Sequence, residues 1–309
     1  MATFLHVGFS NTGTTSLQRF FANRPDLFFA GEPYGDRGGL FTAIRSLEDF
    51  RFDGEAMMAL CHRQIFVPSS GRPVVISDET MTEAPQLYFH PFVMPRDTIS
   101  MRLKTLFPGA KIILTIREQR ERVVSMYFNL KRNHARFSAM PMAPFRNWFE
   151  AMTGQVRSTY LHNLDYSEMV DWYAKLFGPE NVRVLPLEML TQDGPLAYLQ
   201  RLGSFMDIKI TKADAEAFTT SNRRMSEAES LAADALPDTR ATKALDSIRQ
   251  ALGDGAYGAA LASSPPATLS LEPQQQREIR KRVEKGNAAL AERFSLDLER
   301  YGYYLPSTR

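Results

Sequence analysis

The stretch His6-Val-Gly-Phe-Ser-Asn-Thr-Gly-Thr-Thr-Ser-Leu-Gln18 decides the fold. An apolar run, Phe4–Phe9, leads into it, and an amphipathic segment, Thr14–Ala22, leads out, so a glycine-bearing turn joins a strand to a helix. Within it, Gly8-Phe-Ser-Asn-Thr-Gly13-Thr14-Thr15 has the spacing of a phosphate-binding loop, G-x-x-x-x-G-K-[ST], with Thr14 in the lysine position. A nucleoside triphosphatase uses that lysine on its β- and γ-phosphates, so ordinary ATPase or GTPase chemistry is not expected. Backbone N–H groups at a helix N-terminus bind anions without a charged side chain. Candidate ligands of a phosphate or sulfate are therefore Ser10, Asn11, Thr12, Gly13, Thr14, Thr15 and Ser16, with hydroxyls at Thr12, Thr14, Thr15 and Ser16 adding donors. The plainer alternative, a Gly/Thr-rich turn with Thr12 as N-cap, explains the turn but not the clustering of hydroxyls.

Outward from the loop, short apolar runs alternate with amphipathic ones. Strands are expected at Phe4–Phe9, Leu27–Ala30, Pro73–Ser77, Lys111–Ile116 and Val182–Pro186. Helices are expected near Thr14–Ala22, Glu55–Phe66, Ile99–Phe107, Glu121–Lys131 and Ser167–Phe177. This alternation predicts an α/β fold: three layers, α/β/α, around a mostly parallel sheet of about five strands. Ligands of such sheets bind at the carboxyl ends of the strands. The segment 133–165 breaks the rhythm with His134, Met140-Pro-Met-Ala-Pro144, Trp148, Phe149, Tyr160 and His162, and reads either as a helical surface excursion or as a substrate cap. After Leu190 the pattern is helical, apart from 254–273, whose Gly, Ala, Ser and Pro content reads as a mobile loop. The last helix is expected at Gln274–Phe294, and the whole of 1–309 reads as a single domain.

Composition removes several classes. Of 309 residues, 44% are hydrophobic, enough for a sizeable core, and 37 Lys+Arg against 35 Asp+Glu leave a net charge of +2, which argues against a general nucleic-acid binder. The single cysteine, Cys61, rules out an intrachain disulfide and cysteine-rich zinc sites. No apolar run approaches the roughly 18–20 residues needed to span a bilayer. The opening MATFLHVGF lacks the basic and apolar regions of a signal peptide, so a cytoplasmic location is expected.

Strand Lys111–Ile116 runs into Arg117-Glu-Gln-Arg-Glu-Arg-Val-Val-Ser125. A guanidinium at a strand's carboxyl end can clamp a phosphate through paired hydrogen bonds, and a serine one helical stretch on adds a donor. The alternative is a solvated, arginine-rich first helical turn; Arg120 and Arg122 read as surface or interhelical charges.

Taken together, the loop His6–Gln18 and the Arg117–Ser125 pair resemble the 5′-phosphosulfate loop and the 3′-phosphate site of sulfotransferases. These enzymes take a sulfuryl group from 3′-phosphoadenosine 5′-phosphosulfate (PAPS) and release 3′-phosphoadenosine 5′-phosphate (PAP). The resemblance covers most of the chain. Leu164–Ile208 is similar to the family's final strand and following helix. Gly286-Asn287 and Asp297–Tyr303 are similar to the closing helix and tail of bacterial members. Ser221–Ser226 stands where the family places a loop over the nucleotide, so Arg223 and Arg224 are candidate 3′-phosphate ligands; the alternative is solvated arginines beside an N-cap, Ser226. A P-loop-like fold, PAPS as donor, no metal, and a small-molecule, carbohydrate or glycolipid acceptor are what the resemblance and the aromatic, basic cap imply.

Sulfuryl transfer needs a base for the acceptor hydroxyl, donors that hold the group in line, and stabilisation of the departing phosphate. Glu79, just after strand Pro73–Ser77, is the expected base; Asp78, His90 and Glu32 are alternates, and a carboxylate there that merely caps the next turn is the plain reading. His6 is expected to be buried and His62 to be helical surface. Asn11 departs from the family, which usually places Lys or Arg two residues before Gly-Thr-Thr to stabilise the leaving phosphate. Loss of such a stabiliser costs roughly 10²–10³ in rate, unless another cation such as Arg19 or Arg136 reaches in. The competing functions are a nucleotide-dependent kinase, disfavoured by Thr14 and by the lack of an evident magnesium carboxylate, and a non-catalytic PAPS- or PAP-binding protein, favoured only by Asn11.

Overall fold

In the computed structural model, five short strands lie side by side in the order β2-β3-β1-β4-β5, all parallel. They are β1 (Thr3–Gly8), β2 (Phe28–Gly31), β3 (Val74–Ser77), β4 (Lys111–Ile116) and β5 (Val182–Pro186). The structure describes residues 2–31, 39–82, 95–137, 142–154, 163–218, 224–235 and 239–307, and of 133–137 and 239–242 the backbone alone.

Each strand is buried on both faces, which is why the strands read as continuous apolar runs. The alternation of side chains along a strand sends Leu5, Val7, Val74, Ile76, Ile112, Leu114 and Ile116 to one face. Phe4, Val75 and Ile113 go to the other. On the first face pack α2 (Leu40–Ser46), α3 (Gly54–Cys61), α4 (Arg96–Leu106) and α7 (Tyr166–Phe177), with Leu298, Tyr301 and Tyr303 of the C-terminal tail. On the second pack α1 (Thr14–Ala22) and, beyond α8 (Leu187–Gln192), α9 (Gly194–Met206). The three-layer parallel fold expected from the sequence is therefore the fold observed. His6 is buried, as expected, its Nδ1 2.8 Å from Ser77 Oγ, and burial pushes its pKa down to about 3, so it stays neutral. His62 is exposed in a single π-helical turn, His62–Phe66, that continues α3.

The chain forms two bodies where the sequence reads as one domain. The first comprises Met1–Glu118, Asp165–Asn222 and Arg282–Arg309; the second comprises Gln119–Leu164 and Arg223–Lys281. The second body is helical: α5 (Gln119–Phe137), α6 (Phe145–Gly154), α11 (Glu227–Ala235), α12 (Thr239–Leu252) and α13 (Asp254–Ser263), with α10 (Lys212–Ala217) preceding it in the first body. Its two segments are joined by Lys131 Nζ, which donates to Ser230 Oγ at 2.7 Å and Asp234 Oδ2 at 2.8 Å, and by Arg132 on Glu229 at 3.4 Å. The expected loop at 254–273 is corrected: α13 occupies its first half, because its alanines outweigh its two interior glycines in helix propensity.

The final helix, α14 (Pro273–Phe294), explains the Gly286-Asn287 pair. A Cβ on Gly286 would lie 2.1 Å from Asp165 Oδ1 and 2.6 Å from Ser167 Oγ. Asp165 caps α7, its Oδ1 accepting from Ser167 N at 3.1 Å. Asn287, buried, donates from Nδ2 to the Tyr304 carbonyl at 3.0 Å and ties down the tail. Gly286→Ala is expected to destabilise the protein by about 1–3 kcal/mol by displacing the cap, read as a lower urea midpoint at unchanged m-value. An unchanged midpoint would show that Asp165 can turn away freely.

Candidate active site

The sheet order changes direction at β1: its sheet neighbours are β3 on one side and β4 on the other, and the loop Phe9–Gly13 leaves the carboxyl end of β1 at that switch point. Asn11 (φ 62) and Gly13 (φ 86) are left-handed, the backbone turns from which anion-binding concavities are built. Asparagine tolerates this region better than most residues, so the side chain at position 11 answers in part to a backbone demand. Gly13 suits both the positive φ and the close approach of Leu187, whose Cδ1 would lie 2.6 Å from a Cβ there. Gly13 is also the N-cap of α1, without a side-chain cap, so the reading of Thr12 as N-cap does not hold.

Thr12 is fully buried, with 0% exposure. Its hydroxyl donates to the Phe9 carbonyl and lies 2.6 Å from Thr115 Oγ1, which donates to the Gly8 carbonyl at 2.8 Å. The Thr12 side chain therefore holds the loop in shape and β4 against β1, its hydroxyl turned to Phe9 and Thr115 rather than presented as the ligand donor expected from the sequence. Ser10, Asn11, Gly13 and Thr15 are partly exposed along the loop, while Thr14 and Ser16 are nearly covered at the start of α1. Asn11 Nδ2 donates to Ser10 Oγ at 3.3 Å.

Arg117 follows β4 directly, as expected from the strand-end rule. Its Nη1 lies 3.5 Å from the Asn11 carbonyl oxygen, so a guanidinium borders the loop beside the uncharged Asn11. Its own carbonyl accepts from Tyr166 Oη at 2.6 Å. Arg19 lies on the exposed side of α1, and the Arg136 side chain is outside the described residues.

Glu79 opens a short 3-10 turn after β3, and its Oε2 accepts from Gln18 Nε2 of α1 at 3.3 Å. Of the alternates, Asp78 is engaged otherwise: it is 3% exposed, caps that turn through Thr80 N at 2.9 Å and pairs with Arg45 at 2.8 Å. A carboxylate so held is a structural anion, not a free base. Glu32 and His90 lie outside the described residues, as does Arg223.

Ser125, Arg120, Arg122 and Arg224 belong to the second body. Ser125 is partly exposed on α5. Arg224 pairs with Glu121 at 2.7 Å. Arg122, expected at the surface or between helices, is fully buried and donates to the Asn163 carbonyl at 2.8 Å. In the 133–165 segment, Trp148 and Phe149 are buried, Trp148 5.5 Å from the Tyr127 ring and Phe149 5.9 Å from Phe145, so these two aromatics pack within their own body. Met140, Tyr160 and His162 lie outside the described residues.

Sequence reasoning missed Glu188 as part of this region. It opens α8 after β5, accepts the Glu118 N–H at 2.8 Å and accepts from Tyr303 Oη at 2.8 Å. Burial raises its pKa above the usual carboxylate range; hydrogen bonds from Glu118 and Tyr303 and the charge of Arg117 oppose that shift. Among the described residues no cluster of three or more His, Cys, Asp or Glu could hold a metal ion, and no helix is long and apolar enough to cross a membrane.

A parallel sheet with a lysine-free glycine loop at its switch point and an arginine at the next strand end has the P-loop-like α/β architecture. The model of the Sulfotransferase family matches residues 4–212, more than half the chain, and the protein belongs to that family. Among solved structures it is similar to a sulfotransferase from Alicyclobacillus acidocaldarius, 16% identical over 98% of this chain and 99% of the other, with a TM-score of 0.55. It is also similar to the sulfotransferase domain from the curacin biosynthetic pathway, 15% identical over 99% and 98%, TM-score 0.44. A mouse sulfotransferase complexed with PAP is 12% identical over 97% and 87%, TM-score 0.45. No curated protein matches by sequence.

Proposed function

We propose that the protein transfers a sulfuryl group from PAPS to an acceptor hydroxyl. The observation that carries this reading is the pairing of the lysine-free loop with Arg117, whose guanidinium lies 3.5 Å from the loop's own carbonyl at Asn11, in a chain of the sulfotransferase family. When bound, PAPS supplies the sulfuryl group and a phosphate as leaving group. The backbone of Ser10–Thr15, with the hydroxyls of Ser10, Thr14, Thr15 and Ser16, would hold the 5′-phosphosulfate at the N-terminus of α1. Arg117 would clamp the 3′-phosphate. Glu79 takes the acceptor's proton as the new O–S bond forms and the S–O bond to phosphate breaks. Gln18 orients Glu79 through the 3.3 Å hydrogen bond. Asn11 donates a hydrogen bond without a charge, and Arg117 is a cation already bordering the loop, so its field adds to stabilisation of the departing phosphate. All of these groups belong to the first body.

The acceptor we propose is a hydroxyl on a carbohydrate or glycolipid. With Trp148 and Phe149 buried, sugar stacking on those rings no longer supports it. The support is a cavity of about 290 Å³ in the second body lined by Phe149 together with Arg146, Glu150, Thr153, Gln274 and Glu278, donors and acceptors of the kind that bind polyols.

Titration with PAP, against 5′-AMP and magnesium-ATP as controls, tests the donor. Selective, magnesium-independent binding of PAP is expected, followed by sulfate transfer from PAPS to members of a glycoside panel. Preference for magnesium-ATP would overturn the reading in favour of a kinase. PAP binding without transfer to any hydroxyl acceptor would make the protein a nucleotide binder.

A further inference from the structure

Arg117 is proposed above as the phosphate clamp, and a clamp works only if its backbone is held still. The structure holds it from both sides. Tyr166, on α7, donates to the Arg117 carbonyl at 2.6 Å. Glu188, on α8, takes the next N–H, that of Glu118, at 2.8 Å. The second oxygen of Glu188 is taken by Tyr303 at 2.8 Å, a buried residue of the C-terminal tail. The preceding residue, Leu187, packs against Gly13, within 2.6 Å of where its Cβ would stand. Two consecutive residues at the β5–α8 junction thus brace the two anion-binding parts, the loop through Leu187 and the arginine through Glu188.

We propose that Glu188, held in place by Tyr303, is a positioning residue for the Arg117 clamp, so that recognition of the 3′-phosphate depends on a carboxylate and a tail tyrosine that touch no ligand. The inference rests on the nucleotide reading given above. Burial raises the Glu188 carboxyl, an effect opposed by the hydrogen bonds from Glu118 and Tyr303 and by the charge of Arg117, and it pushes the Tyr303 hydroxyl well above its usual range. Removing the carboxylate frees the Glu118 N–H beside Arg117 and with it the direction of the guanidinium.

The test is calorimetric titration of wild type, Glu188→Gln and Tyr303→Phe with PAP and with 5′-AMP. The readout is the ratio of the two affinities, because a general loss of structure lowers both, whereas a misdirected Arg117 lowers only the first. Glu188→Gln is expected to weaken PAP about tenfold with 5′-AMP nearly unchanged, and Tyr303→Phe about threefold, as suits one or part of one charge-assisted hydrogen bond. In an Arg117→Ala background, Glu188→Gln is expected to have no further effect on the ratio. Tyr303→Phe keeps the carboxylate and serves if Glu188→Gln does not fold. Equal weakening of both nucleotides, or an unchanged ratio in both variants, would overturn the inference while leaving the nucleotide reading in place. A wild type that does not prefer PAP over 5′-AMP overturns that reading first, and the inference with it.

Discussion

Glu79→Gln is expected to lower kcat for sulfuryl transfer by about 10²–10⁴ while changing PAP affinity by no more than about twofold. Glutamine keeps the shape of the side chain and its reach to Gln18, but accepts no proton. Steady-state rates with PAPS and calorimetry with PAP read the two quantities separately. An unchanged kcat would move the base to another residue. Asp78 would not be the next choice, since it is buried in its pair with Arg45. The remaining alternates are Glu32 and His90.

Arg117→Ala is expected to weaken PAP by about 10²-fold, the scale of two charge-assisted hydrogen bonds lost from a phosphate. The binding of 5′-AMP should change far less. Because Arg117 borders the loop beside uncharged Asn11, kcat should fall as well, which a residue serving the 3′-phosphate alone would not require. Arg117→Lys should recover part of the affinity, as a point charge lacks the paired donors of a guanidinium. Calorimetry with PAP and initial rates with PAPS separate the two effects. Unchanged PAP affinity would exclude Arg117 as the clamp.

Much of the first body was legible because its signals are local. β4, β5 and α1 lie where the apolar runs and the turn residues put them, since a strand buried on both faces needs an unbroken apolar stretch. The loop was legible through its glycine spacing and Arg117 through its place at a strand end. What escaped depends on contacts far along the chain. Helix α2 has no side-chain N-cap; its C-terminal carbonyls at Ala43, Ile44 and the following Leu47 are instead satisfied by buried Arg102 of α4, at 2.6–3.2 Å. Thr12 looked like one more hydroxyl donor, but its partner Thr115 sits on another strand. Glu188 and Tyr303 look like an ordinary helix-start glutamate and a tail aromatic until the fold brings them to Arg117. The second body escaped because its two segments lie on either side of a long stretch belonging to the first.

The position of β1 has a consequence for how the protein is made. The strand that carries the loop emerges from the ribosome well before its partners β3 and β4, and the hydroxyl that secures Thr12 arrives only with Thr115. During translation the glycine loop therefore has no shape of its own. Pairing across such long separations is slow, and a nascent chain that stops short of β4 carries the phosphate-binding sequence without a phosphate-binding site. A chaperone or protease acting before that point meets an exposed apolar strand rather than an enzyme.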